Sequence, residues 1–189
     1  MNSLVIGNGE SRKNVDLSQF IDYTLVGCNA IHRDMCVDHL ICCDMRMVRE
    51  ALKNPNNKKT IIYTRKEWLS FFPNVKELPD LPYTGSLRID NPFHWNSGPY
   101  ALLIAATMAD NITLVGFDLW GNNNKVNNIY KNTSNYSSST SNAVDPNYWI
   151  YQIKKIFEFF PNKNFTILNN PNWDFPKDWQ KNNVSFLAL

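Results

Sequence analysis

The chain has 189 residues, 43% hydrophobic and 13% aromatic, enough to bury one core and short for two, so a single domain over residues 1–189 is expected. Its formal net charge of +2 and pI near 8.3, with no block of like charge, exclude an electrostatic footprint for nucleic acid and favour a small-molecule partner. No basic segment followed by a long apolar run opens the chain, and no stretch of about twenty apolar residues occurs, so neither a signal peptide nor a membrane span is expected and a cytoplasmic setting follows.

Ser3-Leu4-Val5-Ile6 reads as a buried strand entering the glycine turn Gly7-Asn8-Gly9-Glu10-Ser11. The chain has only seven glycines, and Gly7, Gly9, Gly27, Gly98 and Gly116 fall at or near the end of an apolar run or the start of a helix. Loops elsewhere use Asn instead. Asn14 to Phe20 suits a short helix and Tyr23 to Asn29 a second strand; Ala30 to Met35, carrying His32, Arg33 and Asp34, reads as a loop or helical turn. His39 to Asp44 is apolar on both faces, as a central parallel strand requires, and Met45 to Asn54 is a helix stopped by Pro55. Cys28, Cys36, Cys42 and Cys43 lack paired CxxC spacing and read as buried free thiols of a reducing compartment, Cys42 and Cys43 pointing to opposite faces.

Thr60 to Thr64 is a fourth strand, and Lys66 to Phe72 a short helix ended by Pro73. From Pro73 to Asn96 the prolines mark an irregular crossing segment with a small strand at Ser86 to Ile89, suited to wall a site. Ser97 to Asp110 is apolar nearly all round, a helix buried against a sheet, with Ser97 as its cap and Pro99 in its first turn. Asn111 to Asp118 is the fifth strand, followed by a polar loop, Leu119 to Val144, whose length suits a lid. Asp145-Pro146 starts a helix with the stripe Trp149, Ile153, Ile156, Phe157 and Phe160; Asn164 to Leu168 is a sixth strand, and the tail with Trp173, Trp179 and Phe186 packs back on the surface. This alternation predicts an α/β fold: a doubly wound, mostly parallel Rossmann-like sheet of about six strands with helices on both faces.

Such sheets bind ligands at the carboxyl ends of their strands. There the sequence places Gly7 to Ser11, Cys28-Asn29, Asp44, Thr64-Arg65, Phe117-Asp118 and the helix start at Asn96-Ser97-Gly98. A helix start with free N–H groups is a seat for phosphate or carboxylate. The glycine turn lacks the third glycine of a dinucleotide fingerprint and the Gly-Lys-Ser/Thr of a P-loop; it fits a nucleotide turn and a plain tight turn equally well. Asp44 and Asp118 end strands, where a carboxylate either accepts from a ribose hydroxyl, acts as a base, or caps the turn. No acidic pair is spaced Asp-x-Asp, so a metal-independent site is expected. His32 follows the second strand and His94 precedes the helix start, candidates to face a ligand and titrate near neutral pH, whereas His39 starts an apolar strand and reads as structural. Tyr130, Tyr136 and Tyr148, in or beside the polar loop, are candidate phosphate hydrogen-bonders.

Taken together, Val5-Ile6-Gly7-Asn8-Gly9-Glu10-Ser11, then Cys28-Asn29, then Asn96-Ser97-Gly98 with an apolar helix leading to Leu114-Val115-Gly116-Phe117-Asp118, resemble the bacterial sialyltransferases. Those carry a Gly-Asn-Gly-x-Ser turn, an Arg-Cys-Asn after the second strand, and a Thr-Ser-Gly before a helix and a Gly-x-Asp strand end. The same elements look like those of a wider group that includes motility accessory factors and methanopterin-pathway pyrophosphokinases. The resemblance covers roughly the first two thirds of the chain. It implies that Asn8, Ser11 and Asn29 line a CMP site and that Ser97 and Gly98 hold the nucleotide phosphate or ribose. It also puts His94 where the family has an arginine near the donor, and Trp120, with Tyr130 next, where the family has a phosphate-binding tyrosine. With Gly7, Gly9, Asp44 and Asn96 these form the expected nucleotide site, and His94, His32 and Asp118 are the candidate catalytic groups. The family's general base is a histidine before the late helix; Tyr136 to Trp149 contains none. The implied function is metal-independent glycosyl transfer from a CMP-type nucleotide sugar, a substrate and not a cofactor, to a glycan or other acceptor. A pyrophosphokinase-like phosphotransfer enzyme and an inactive nucleotide-binding module are the alternatives, and a homo-oligomer is left open.

Overall fold

The computed structural model describes residues 1–189. It contains β1 (Asn2–Ile6), β2 (Thr24–Cys28), β3 (His39–Ile41), β4 (Ile61–Thr64), β5 (Lys76–Glu77), β6 (Asn111–Val115), β7 (Asn164–Asn169) and β8 (Val184–Ala188). These eight strands form one sheet in the order β5-β4-β3-β2-β1-β6-β7-β8, and every neighbouring pair is parallel. The chain starts in the middle, steps outward to β5, and returns to the other side of β1 at β6. Three α-helices accompany it: α1 (Met45–Lys53), α2 (Ser97–Met108) and α3 (Asn147–Phe159). None is long and apolar enough to cross a membrane.

The sheet has eight strands where the sequence pattern predicts about six, because both edge strands escape that pattern. β5 is a Lys-Glu dipeptide, a strand only through pairing with Tyr63 and Thr64. β8 pairs with β7 from Phe165↔Val184 to Asn169↔Ala188, so the tail extends the sheet. Within the tail, Trp173 and Phe186 are half-buried at the surface as expected, but Trp179 is fully buried, donates Nε1–H to the Ile150 carbonyl at 3.0 Å, and sets its ring edge-on to Phe157. The strand expected at Ser86 to Ile89 is absent. That stretch leads into a 3-10 turn at Arg88–Asp90, organised by the buried Asp90 carboxylate, which accepts from Tyr83 Oη at 3.0 Å, Tyr151 Oη at 2.8 Å and Leu87 N–H at 3.0 Å. Burial alone would raise the pKa of Asp90; these donors and the Lys155 charge hold it below the usual carboxylate value. The short segments Leu17–Phe20 and Lys66–Phe71 form 3-10 turns, too brief to nucleate α-helix.

Alternate strand residues fall into two apolar clusters. Val5, Val26 and Leu114 pack with α2 and with Ile153, Ile156 and Phe157 of α3; Leu4, Ile6, Leu40 and Ile62 pack with Met47, Val48 and Ala51 of α1. Cys43 joins the first cluster and Cys42 the second, as adjacent residues of an extended chain must, and Cys28 is buried as well; Cys36, by contrast, is exposed. The scarcity of glycine is made good by asparagine: Asn29, Asn123, Asn124, Asn132 and Asn135 all adopt positive φ.

Candidate functional site

β1 and β6 are the strands between which the chain's course across the sheet reverses. Their carboxyl ends are drawn together through glycine: Gly7 N–H donates to the Val115 carbonyl and Gly9 N–H to the Gly116 carbonyl, each at 2.8 Å. A Cβ on Gly7 would come within 2.4 Å of the Gly116 carbonyl oxygen, and Gly116 itself has φ of +70°. Beyond this contact opens a cavity of about 720 Å³, of a size that holds small ligands.

One wall is the start of α2. Asn96 is the cap residue, without a side-chain cap bond, and Ser97 is the first helical residue rather than the cap expected from sequence. The Ser97 hydroxyl is used elsewhere, accepting from Cys43 N–H at 3.0 Å and donating to Asn29 Oδ1 at 2.9 Å, which ties the helix start to the ends of β2 and β3. Asn29 can reach it because it sits at φ of 52°, a conformation Asn tolerates. Ser97 and Gly98 precede the helix's first internal bond, from Tyr100 N–H to the Asn96 carbonyl at 3.1 Å, so their N–H groups face forward at the positive end of the dipole.

Asn8 forms the opposite side. Its Nδ2 donates to the Cys28 carbonyl at 3.3 Å and to Tyr136 Oη at 3.2 Å, while its Oδ1, buried in the cavity lining, has no partner. Arg65, just past β4, is the only cation among the lining residues; it donates Nη2–H to the Trp95 carbonyl at 2.8 Å, lies 4.9 Å from the centre of the Phe93 ring, and leaves Nε unpartnered. Asp118 accepts from Ser11 N–H at 2.9 Å and from the Ser11 hydroxyl. Asp44 caps α1, and its hydrogen bond from Arg46, 2.7 Å from the guanidinium, keeps its pKa below the usual carboxylate range. Burial pushes the thiols the other way, Cys28 up to about 12 and Cys43 upward, so both are protonated at neutral pH and serve as apolar lining.

The long loop is laid across the glycine turn. Glu10 N–H donates to Asn127 Oδ1 and Ile129 N–H to the Asn8 carbonyl, each at 2.9 Å, and Ala30 N–H donates to Tyr136 Oη at 3.4 Å. Trp149 and Ile153 of α3 complete the far wall.

Comparison with family models, curated proteins and solved structures finds no match to this chain.

The cavity brings together Gly7, Asn8, Gly9, Asn29, Asp44, Asn96, Ser97, Gly98 and Asp118 of the predicted site. Ser11, His32, His94, Trp120 and Tyr130 do not line it. Ser11 lies beneath the turn with both polar hydrogens on Asp118. His32 is buried against α1, with Nδ1 3.2 Å from Asn54 Nδ2 and Nε2 3.6 Å from Glu50 Oε1, and burial lowers its pKa. His94 accepts from Arg88 Nε–H at 3.3 Å through its ring and from Gln152 Nε2–H at 3.0 Å through its carbonyl. Trp120 donates to the Asp174 carbonyl at 2.8 Å. Tyr130 is buried between Arg12 and Asp34, accepting from the one at 2.9 Å and donating to the other at 2.5 Å. Arg65, read from the sequence only as a strand-end residue, and Tyr136, read only as a candidate phosphate hydrogen-bonder, both line the cavity, as do Trp68, Asn127 and Asn135, which the sequence did not single out. Arg65 has a sequence signal, its position immediately after the fourth apolar run; nothing in the sequence separates Tyr136 from Tyr130.

Proposed function

We propose that the protein is a nucleotide-sugar-dependent glycosyltransferase of the sialyltransferase-like kind, built on a doubly wound Rossmann-like sheet and using a CMP-type donor. The observation that carries this reading is the convergence, in one cavity at the strand-order reversal, of the α2 N-terminus, the Arg65 cation and the unpartnered Asn8 Oδ1. The N–H groups of Ser97 and Gly98, with Arg65, take the donor phosphate, which is also the leaving group, and stabilise the charge that grows on it as the glycosidic bond breaks. Asn8 Oδ1 accepts a donor hydrogen from the nucleoside. The acceptor hydroxyl attacks the anomeric carbon and gives up its proton, for which Asp118 and Asp44 are the carboxylates on the wall. Positioning supplies most of the rate under this reading. Calorimetry against CMP, CDP, UDP and GDP tests it. Binding of CMP is expected, with Arg65→Gln weakening CMP roughly tenfold or more and leaving cytidine unchanged. No heat for any nucleotide at millimolar concentration sinks the proposal.

A specific observation favours a second reading, a nucleotide-binding module without transferase activity: no histidine lines the cavity. Hydrolysis of CMP-sialic acid, or its transfer to an acceptor, abolished by Asp118→Asn in protein that still binds CMP, decides for the enzyme.

A further inference from the structure

A second concavity of about 450 Å³ lies beside the first, with no hydrophobic residue in its lining. On one side α1 presents Arg46, Arg49 and Lys53, whose spacing of three and four residues places them on one exposed helix face. On the other side stands the long-loop segment Thr133, Ser134 and Asn135. Arg33 builds this groove: it donates to both Glu50 carboxylate oxygens, at 2.5 and 2.8 Å, to Thr133 Oγ1 at 2.7 Å and to the Ser134 carbonyl at 2.8 Å. Asn135 Nδ2 completes the frame, donating to Glu50 at 2.8 Å. Arg33 and Glu50 therefore neutralise each other and hold the two walls in place.

The remaining cations are a surplus. Arg49 and Lys53 take part in no ion pair, and the carboxylate partner of Arg46 is Asp44, at 2.7 Å. Arg46 and Arg49, and Arg49 and Lys53, are like charges three and four residues apart, a spacing that opposes helix formation. The groove also shares its rim with the nucleotide cavity: Asn135 lines both, and the Asp44–Arg46 pair joins a cavity residue to a groove residue. Arginines grouped around a polar hollow match the geometry and charge of a phosphate group.

We propose that this groove binds a phosphate group carried by the second substrate, which makes the acceptor a phosphorylated molecule lying across the Asn135 rim. That the phosphorylated molecule is an acceptor rests on the transferase reading; the phosphate site does not. The test titrates the full chain at fixed ionic strength with inorganic phosphate, with mannose 6-phosphate, and with vesicles containing phosphatidate, in parallel with CMP. The double variant Arg49→Gln/Lys53→Gln alters exposed positions, and Lys58→Gln/Lys59→Gln is an equal charge change on exposed lysines outside the groove. Expected is phosphate-group binding that the first variant weakens roughly tenfold or more and the second leaves unchanged, with CMP affinity the same in both. Tighter binding of mannose 6-phosphate assigns a soluble phosphorylated acceptor; binding confined to vesicles assigns a lipid-linked one. No binding of any phosphate probe, or equal losses in the two variants, overturns the proposal. Loss confined to CMP in the wild-type protein sinks the nucleotide reading and leaves the groove standing.

Discussion

Asp118 accepts both polar hydrogens of Ser11, although 107 residues separate them. The pair ties the glycine turn after β1 to the end of β6, across the point where the strand order reverses. Gly9 is the companion requirement, since a Cβ there would fall 2.4 Å from the Asp118 carboxyl carbon. Asp118→Asn removes the charge-assisted bonds and sets an amide against Ser11; a loss of about 2 kcal/mol is expected. Urea unfolding reads it as a lowered midpoint at constant slope, and an unmoved midpoint means the pair does not hold the turn.

Gly98 behaves differently from Gly7 and Gly9. A Cβ on Gly98 would meet only Phe117, at an ordinary contact of 3.4 Å, so packing does not demand glycine there. Gly98→Ala is expected to raise stability by up to about 1 kcal/mol, through helix propensity and a less free unfolded chain. If the cavity binds CMP as proposed, the new methyl at its mouth is expected to lower that affinity roughly tenfold. Thermal melts with calorimetry separate the two effects; CMP binding by the variant as tight as by the wild type removes Gly98 from the proposed phosphate contact.

His32 makes stability depend on pH. Burial lowers its pKa below that of the unfolded chain, about 6.5, so the unfolded state binds the proton first. Its contribution is therefore complete above that value and is lost as pH falls towards the folded-state pKa. Glu50 and Asp44, held low by Arg33 and Arg46, act with the same sign in the more acidic carboxylate range. His32→Gln is expected to flatten the stability profile just below about pH 6.5, as urea midpoints across that range will report.

Trp179 anchors the tail that carries β8. Its full burial against Phe157 and its bond to Ile150 predict a loss of about 3–5 kcal/mol for Trp179→Ala. A loss below 1 kcal/mol, a level typical of surface positions, would mean that Trp179 does not anchor the tail.

The sequence by itself determined the central part of this protein. Apolar runs long enough to bury both faces announce β1, β2, β3, β4, β6 and β7, and an all-round apolar segment announces α2, because hydrophobic periodicity is a local property. It also placed Gly7 to Gly9, Asn29, Ser97 and Asp118 near one point, since parallel strands bring their carboxyl ends together whatever their side chains. Only the tertiary structure decided the rest. The Lys-Glu pair of β5 has no pattern of its own and exists because Tyr63 and Thr64 offer it an edge. His94 and Tyr130 sit close in sequence to lining residues, yet their side chains are drawn away by Arg88 and by the Arg12–Asp34 pair, while Tyr136 reaches Asn8 across 128 residues. In the loop, positive φ at Asn132 and Asn135 sets the backbone course from which these side chains project. Which tyrosine meets the glycine turn thus depends on backbone angles and distant partners, and neither is written in the local pattern of residues.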